Sequence, residues 1–297
     1  MTPSSPSLLL GIDWGTSNRR AYLINQRGEC LARHADDQGM LAARPHFAAS
    51  IDSLMAAMQV GPDVPIVASG MIGSAQGWHE VPYLERDVPL AALPAHLRQV
   101  APLRAIVPGY CQRGDEVDVM RGEETQLLGA LALGQRDGWV ILPGTHSKWV
   151  LLRDGMIRHI ATFMTGELFA TLSAQGTLAA LMTGPDNEAA FAAGMAQARQ
   201  RAPLSNALFR VRARVVTGAM PAADARSFLS GLLIGTEFVA ALDMLGDSPG
   251  SLASIASPAL QQRYAAAAEC FGLTLRALDP DQVYCAALAR FLDKGTA

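Results

Sequence analysis

Residues 12–20 read Ile-Asp-Trp-Gly-Thr-Ser-Asn-Arg-Arg, an acid near the end of an apolar run followed by a glycine and two small hydroxyl residues. Leu8–Asp13 predicts a buried strand, Gly15-Thr16-Ser17-Asn18 a turn and Arg20–Asn25 a second strand. Arg27-Gly28 is a further turn and Cys30–His34 a third strand. A carboxylate at the end of a buried strand is costly unless it binds a cation or accepts hydrogen bonds. The glycine lets the backbone approach phosphate oxygens, while amides and hydroxyls donate to them. On this reading Asp13 holds Mg²⁺, directly or through water, since Mg²⁺ prefers carboxylate, water and phosphate oxygens. The motif is short, and an ordinary hairpin turn with a capping Asp reads the same way.

The theme returns in the second half. Trp139–Leu142 predicts a strand, Pro143-Gly144-Thr145-His146 a turn, Lys148–Leu152 a second strand, Asp154-Gly155 a hairpin turn and Ile157–Phe163 a third strand. Gly15-Thr16 matches Gly144-Thr145, and at the same spacing Arg19 falls on Lys148 and Leu23 on Leu152. Leu142 stands where the first unit has Asp13. One unit therefore positions metal, while the other offers amides, hydroxyls and the Lys148 ammonium to a phosphoryl group. Two such units predict a duplicated α/β fold with two domains around a central cleft. The charged segment Gly114–Asp118 divides them into 1–118 and 119–297.

Composition agrees with two domains. The chain has 297 residues, 50% hydrophobic and 17% charged, too apolar for disorder. A net charge of -3 offers no basic face, so nucleic acid is not an expected partner. Only Lys148 and Lys294 are lysines among 24 Lys+Arg, which base composition explains but which draws the eye to Lys148; a solvated strand end is its plain alternative. Cys30, Cys111, Cys270 and Cys285 form no C-x-x-C pair and read as reduced thiols of a cytoplasmic protein. No positive charge precedes the apolar run Leu8–Leu10, and no later run reaches about 18 uninterrupted apolar residues, so neither a signal peptide nor a membrane span is expected.

Between and after the repeats, spacing predicts helices over Phe47–Met58, Gly122–Leu133, Gly166–Ala174, Asp186–Arg199, Asp224–Met244 and Asp281–Leu292. Strands are predicted at Pro65–Ser69, Ala105–Val107, Ser251–Ala256 and Leu273–Leu278, with a glycine-rich loop through Gly70, Gly73 and Gly77. Thr165 is a candidate cap for the helix at Gly166, and Ser257-Pro258 predicts a helix start with Ser as N-cap. Arg121-Gly122-Glu123-Glu124-Thr125-Gln126 opens another helix. Acids in a first turn commonly do no more than face the helix dipole. A carboxylate there can also accept the proton of a substrate hydroxyl. Adjacent residues point about 100° apart, so at most one of Glu123 and Glu124 is expected to face a cleft. No G-x-x-x-x-G-K-[ST], strand-following G-x-G-x-x-G or H-E-x-x-H occurs.

The first motif resembles the phosphate loop of the sugar kinase, hexokinase and actin superfamily. Six segments resemble one family within it, the 2-dehydro-3-deoxygalactonokinases: Ile12–Arg20, Ala68–Trp78, Met120–Gly129, Leu142–Val150, Met164–Leu168 and Phe228–Glu237. The resemblance implies an actin-like ATPase (ribonuclease H-like) fold. It implies ATP- and Mg²⁺-dependent phosphorylation of the C6 hydroxyl of 2-dehydro-3-deoxy-D-galactonate, in galactonate breakdown. Asp13 then takes the metal, and Gly15, Thr16, Ser17, Gly144, Thr145 and His146 meet phosphates, with Lys148 on the γ-phosphate. Glu123 is favoured as the base over Glu124 because it follows Gly122 at the helix tip. The substrate carboxylate calls for an arginine, with Arg20 and Arg121 as candidates. Trp14, Ser69, Gly70 and Glu124 are the other substrate-side candidates. Ala256 and Ser257 stand where the superfamily has a glycine turn beside adenosine, which narrows backbone approach there. A kinase of an epimeric acid such as 2-dehydro-3-deoxy-D-gluconate, and a non-catalytic actin-like nucleotide-binding protein, are the rival expectations. A homodimer is the default for a soluble enzyme.

Overall fold

The computed structural model describes residues 7–245 and 251–293; Lys294 and the N-terminal residues 1–6 lie outside these ranges. The first stretch runs β1 (Leu8–Trp14), β2 (Arg19–Asn25), β3 (Cys30–Asp36), α1 (Met40–Ala43), α2 (Phe47–Ala57) and β4 (Ile66–Gly70). It continues through β5 (Leu84–Glu85), β6 (Arg98–Ala101), β7 (Arg104–Ile106), β8 (Tyr110–Gln112), β9 (Asp118–Met120) and α3 (Glu123–Ala132). Next come β10 (Gly138–Leu142), β11 (Ser147–Arg153), β12 (Met156–Phe163), α4 (Thr165–Ala174), α5 (Glu188–Ala198), α6 (Leu204–Val216) and α7 (Ala225–Leu245). The last described elements are β13 (Leu252–Ile255), α8 (Pro258–Cys270), β14 (Leu275–Leu278) and α9 (Pro280–Asp293).

The repeat read from the two Gly-Thr turns is a repeat of topology. One sheet has the order β3-β2-β1-β4-β7-β6 and another β12-β11-β10-β13-β14. In each, three consecutive strands lie side by side and later strands are added on the other side of the first of them. In the first, β1 pairs antiparallel with β2 and parallel with β4, and β4 parallel with β7. In the second, β10 pairs parallel with β13. Parallel neighbours require crossovers, which is why helical segments separate them in the chain. This is the duplicated actin-like fold. A third sheet, β5-β8-β9, accompanies the first.

Two compact units result. One holds the described residues up to Asp137, Leu151–Ile160 and those from Leu278 onward; the other holds Gly138–Val150 and the described residues of Ala161–Ala277. Residues 119–137, which fall after the expected division at 118/119, pack in the first unit, where α3 lies against α9. The first unit's core gathers Leu10, Ile12 and Trp14 from β1 with Phe47, Ile51 and Leu54 from α2. Phe47, Ile51, Leu54 and Met55 recur at helical spacing, so one stripe of α2 is buried.

In the second unit α7 packs against α4, α5, α6 and α8. Its window 222–244 is long and apolar enough to cross a membrane by length and composition, and 67% of the scored stretch is buried inside the protein. One of the two expected caps differs from the structure. Thr165 is the first residue of α4, where its hydroxyl bonds Glu237 and does not cap the helix. Ser257 does occupy the N-cap position of α8 with Pro258 next, but its side chain makes no capping hydrogen bond.

Candidate active site

In the first unit, β1 delivers Asp13 to the rim of the turn. Gly15 N–H donates to Asn18 O at 2.9 Å and closes that turn. Met40 N–H donates to Gly15 O at 2.9 Å and Leu41 N–H to Thr16 O at 3.1 Å, so the following segment braces it from outside. Thr16 and Ser17 are exposed, leaving their hydroxyls available to a ligand. Asp13 is partly open and paired: Arg20 Nη2 donates to its Oδ2 at 2.6 Å. Among the described residues, no group of three or more His, Cys, Asp or Glu is placed to hold a metal. A lone strand-end carboxylate nevertheless suits Mg²⁺, which keeps most of its shell as water and phosphate oxygen.

Arg19, the counterpart of Lys148, is committed to structure. Its Nε and Nη2 donate to Asp36 at 3.1 and 2.6 Å, and Nη1 donates to Ser50 Oγ at 2.9 Å. Burial pushes the Asp36 carboxyl up, but the hydrogen bonds and charge of Arg19 outweigh it and hold it below the usual range.

The other first-unit candidates meet where β4 ends and α3 begins. Gly70 has φ +89°, and a Cβ there would lie 2.6 Å from Trp14 O, so only glycine fits without strain. A Cβ on Gly122 would lie 3.2 Å from Gly70 Cα, so the two glycines bring the tip of α3 against the end of β4. Both acids fold back on the backbone before α3: Glu123 Oε2 accepts from Arg121 N–H at 3.0 Å, and Glu124 Oε2 from Gly122 N–H at 2.7 Å. They differ in exposure. Glu123 is half-buried, whereas Glu124 is 0% exposed. Burial, with the Glu123 charge adding to it, pushes the Glu124 carboxyl up to about 8. Arg121 Nη2 donates to Val81 O at 2.7 Å and its guanidinium lies 4.3 Å from the Tyr83 ring centre. Its Nε and Nη1 are buried with no hydrogen-bond partner among the described residues.

Three of the expected substrate contacts are enclosed. Trp14 packs edge-on against Phe47 and donates through Nε1 to Gln38 O at 3.0 Å. Ser69 is fully buried, its hydroxyl 2.9 Å from that of Tyr284. Glu124 is the third. As these side chains stand, a substrate in solvent reaches none of them, because each is spent on packing or an internal hydrogen bond. Arg20, Gly70 and Arg121 remain at the site as described.

In the second unit the turn Pro143–His146 leads from β10 into β11. Gly166 at the start of α4 lies so near that a Cβ would come within 2.2 Å of Gly144 O. Glu167 N–H donates to Thr145 O at 2.9 Å, and His146 Nε2 lies 2.5 Å from Glu167 Oε2. Lys148 is no solvated strand end: it is buried, and Nζ donates to Thr162 Oγ1 at 2.9 Å. Ala256 is buried and Ser257 exposed between β13 and α8, where Gln261 N–H donates to Ser257 O at 2.8 Å.

Sequence reasoning assigned nothing to Glu237. It is buried in α7 and bonded by Ser147, Trp149, Thr165 and Tyr264. Its signal was available: a lone acid in the run Leu232–Ala241 needs partners.

The family model described as 2-keto-3-deoxy-galactonokinase matches residues 13–291. A protein of Rhizobium meliloti (strain 1021) named "Probable 2-dehydro-3-deoxygalactonokinase DgoK1" is 39% identical, with 94% of each chain covered. The 2-dehydro-3-deoxygalactonokinase of Escherichia coli (strain K12) is 34% identical, covering 94% of this chain and 95% of that one. A crystal structure described as that of "a putative 2-dehydro-3-deoxygalactonokinase protein from Sinorhizobium meliloti" superposes with a TM-score of 0.89 at 37% identity, over 97% of this chain and 96% of that one. The match runs from Asp13 through both glycine-threonine turns into α9, and the chain belongs to the 2-keto-3-deoxy-galactonokinase family.

Proposed function

We propose that this protein is a sugar-acid kinase that transfers the γ-phosphoryl group of ATP to the C6 hydroxyl of 2-dehydro-3-deoxy-D-galactonate. The observation that carries the reading is the full-length similarity to relatives named for this activity. The local geometry supports it. Thr16 and Ser17 offer exposed hydroxyls, and the exposed Gly144 and Thr145 offer backbone to phosphate oxygens. Asp13 is the residue that would hold Mg²⁺, and the ion when bound offsets phosphate charge. In the transfer the substrate O6–P bond forms, the bond from Pγ to the ADP oxygen breaks, and the O6 proton passes to a base. Glu123 fits that base better than Glu124, because its carboxylate is half-exposed at the tip of α3 while Glu124 is enclosed. Arg121 is the candidate for the substrate carboxylate, and Lys148 for charge on the γ-phosphate.

A cytoplasmic homodimer belongs to the same reading; light scattering on the purified protein tests the dimer. The test of substrate is a panel of sugar acids with MgATP, read as ADP release and compared by kcat/KM. The expected outcome is highest kcat/KM with 2-dehydro-3-deoxygalactonate. A higher value with the gluconate epimer transfers the reading to that acid. ATP binding with no turnover on any acid supports the non-catalytic alternative.

A further inference from the structure

Among the described residues Glu237 is the most heavily bonded carboxylate of the second unit, and it is 2% exposed. Its Oε1 accepts from Ser147 Oγ at 2.7 Å and from Trp149 Nε1 at 2.8 Å. Its Oε2 accepts from Tyr264 Oη at 2.9 Å and from the Thr165 hydroxyl. Four donors surround the carboxyl group, which offsets part of the cost of burying it. The helix around it is apolar, so packing alone gives no reason for an acid at this position.

Its partners share one location. Ser147 and Trp149 flank Lys148 on β11, and alternate residues of a strand point to the same face. Holding Ser147 and Trp149 on the α7 side therefore turns Lys148 to the opposite face, where its ammonium meets Thr162. Thr165 opens α4, whose next two residues pack on Gly144 and bond Thr145. One carboxylate thus ties down both the strand leaving the Pro143–His146 turn and the helix start that leans on it. Phe238, next to Glu237, packs edge-on to Trp149 with ring centres 5.1 Å apart and reinforces the same anchor.

We infer that Glu237 is a positioning residue for nucleotide: it sets the shape of the Gly144-Thr145 turn and the direction of Lys148, without touching substrate itself. The inference rests on the proposal that this turn receives ATP phosphates. Glu237→Gln is the first test, because glutamine keeps the shape and can turn its amide toward the Thr165 and Tyr264 hydroxyls, which are able to accept. Thr165→Val is the second, removing one donor with little change of shape. The measurements are calorimetric ATP binding, KM for each substrate, and Tm. The expected result for Glu237→Gln is ATP affinity weaker by about fivefold or more, KM for MgATP raised alongside it, and KM for the sugar acid within about twofold of wild type. Thr165→Val should move the same quantities in the same direction by less, and it carries the test alone should the glutamine variant not fold. Variants that lose Tm yet bind ATP and turn over like wild type would overturn the inference and leave Glu237 a stability element. Wild type that binds ATP without phosphorylating any sugar acid breaks the activity reading but leaves the affinity comparison standing. Wild type that binds no ATP removes the premise and overturns the inference.

Discussion

Arg20 donates to Asp13 across the first hairpin, Nη2 to Oδ2 at 2.6 Å, and the two are register partners on β2 and β1. The carboxylate assigned to Mg²⁺ therefore shares its charge with a neighbouring guanidinium. An arginine so engaged competes with a cation for Asp13. Replacing Arg20 by Met should lower the Mg²⁺ concentration needed for half-maximal rate and leave the sugar-acid KM within about twofold. A KM for the sugar acid raised about tenfold or more would instead give Arg20 the substrate role.

Asp13→Asn keeps the shape of the side chain and removes its charge. The variant should lose about a thousandfold in kcat, the scale of several kcal/mol of charge stabilisation. Its circular dichroism should match wild type. Activity within about tenfold of wild type at saturating Mg²⁺ would remove the metal assignment.

Glu124 links stability to pH. Its carboxyl is raised to about 8 in the folded protein, against an ordinary value near 4.5. The protonated form is thus favoured by folding, so its contribution is fully present below about pH 4.5 and is lost as pH rises through about 8. Glu124→Gln, neutral at every pH, should show a smaller fall in stability between pH 6 and pH 9 than wild type, by urea denaturation at about five pH values across that range. Equal falls in the two proteins would place the pH dependence elsewhere.

Gly70→Ala should destabilise the first unit. Its φ of +89° and the 2.6 Å approach of a Cβ to Trp14 O combine backbone strain with a clash against main chain. The expected loss is about 1–3 kcal/mol, visible as a lower urea midpoint with unchanged slope. An unchanged midpoint would mean that the β4–α3 junction relaxes at no cost.

Arg121→Met keeps an apolar stem over Tyr83 and removes a guanidinium with two unpartnered buried nitrogens. The expected effect is a KM for the sugar acid raised about tenfold, with KM for MgATP little changed. The reverse pattern would move Arg121 to the nucleotide side.

Much of this architecture is legible in the chain because the deciding segments are local. Strand, Gly-Thr turn, strand and hairpin occur twice within about 30 residues each, and a turn residue states its own geometry. The β5-β8-β9 sheet was not legible: strands of two or three residues show no period. Helix α6 was missed as well, since Arg210-Val211-Arg212-Ala213-Arg214-Val215 alternates as a strand does. At the site, sequence could name the pair Glu123 and Glu124 but not which one faces inward, because that depends on Gly122 meeting Gly70. Ser69 likewise reads as a site residue until Tyr284, 215 positions away, closes over it. Thr165 shows the same limit at a cap: local preference for an N-cap yields when a buried carboxylate offers a better partner.

The most direct test of the central claim is product identification. Purified protein with MgATP and 2-dehydro-3-deoxy-D-galactonate should release one ADP per sugar acid consumed and give a single phosphomonoester on C6 by phosphorus and proton NMR. No ADP above the substrate-free background, or a phosphate carried on another hydroxyl, would contradict it.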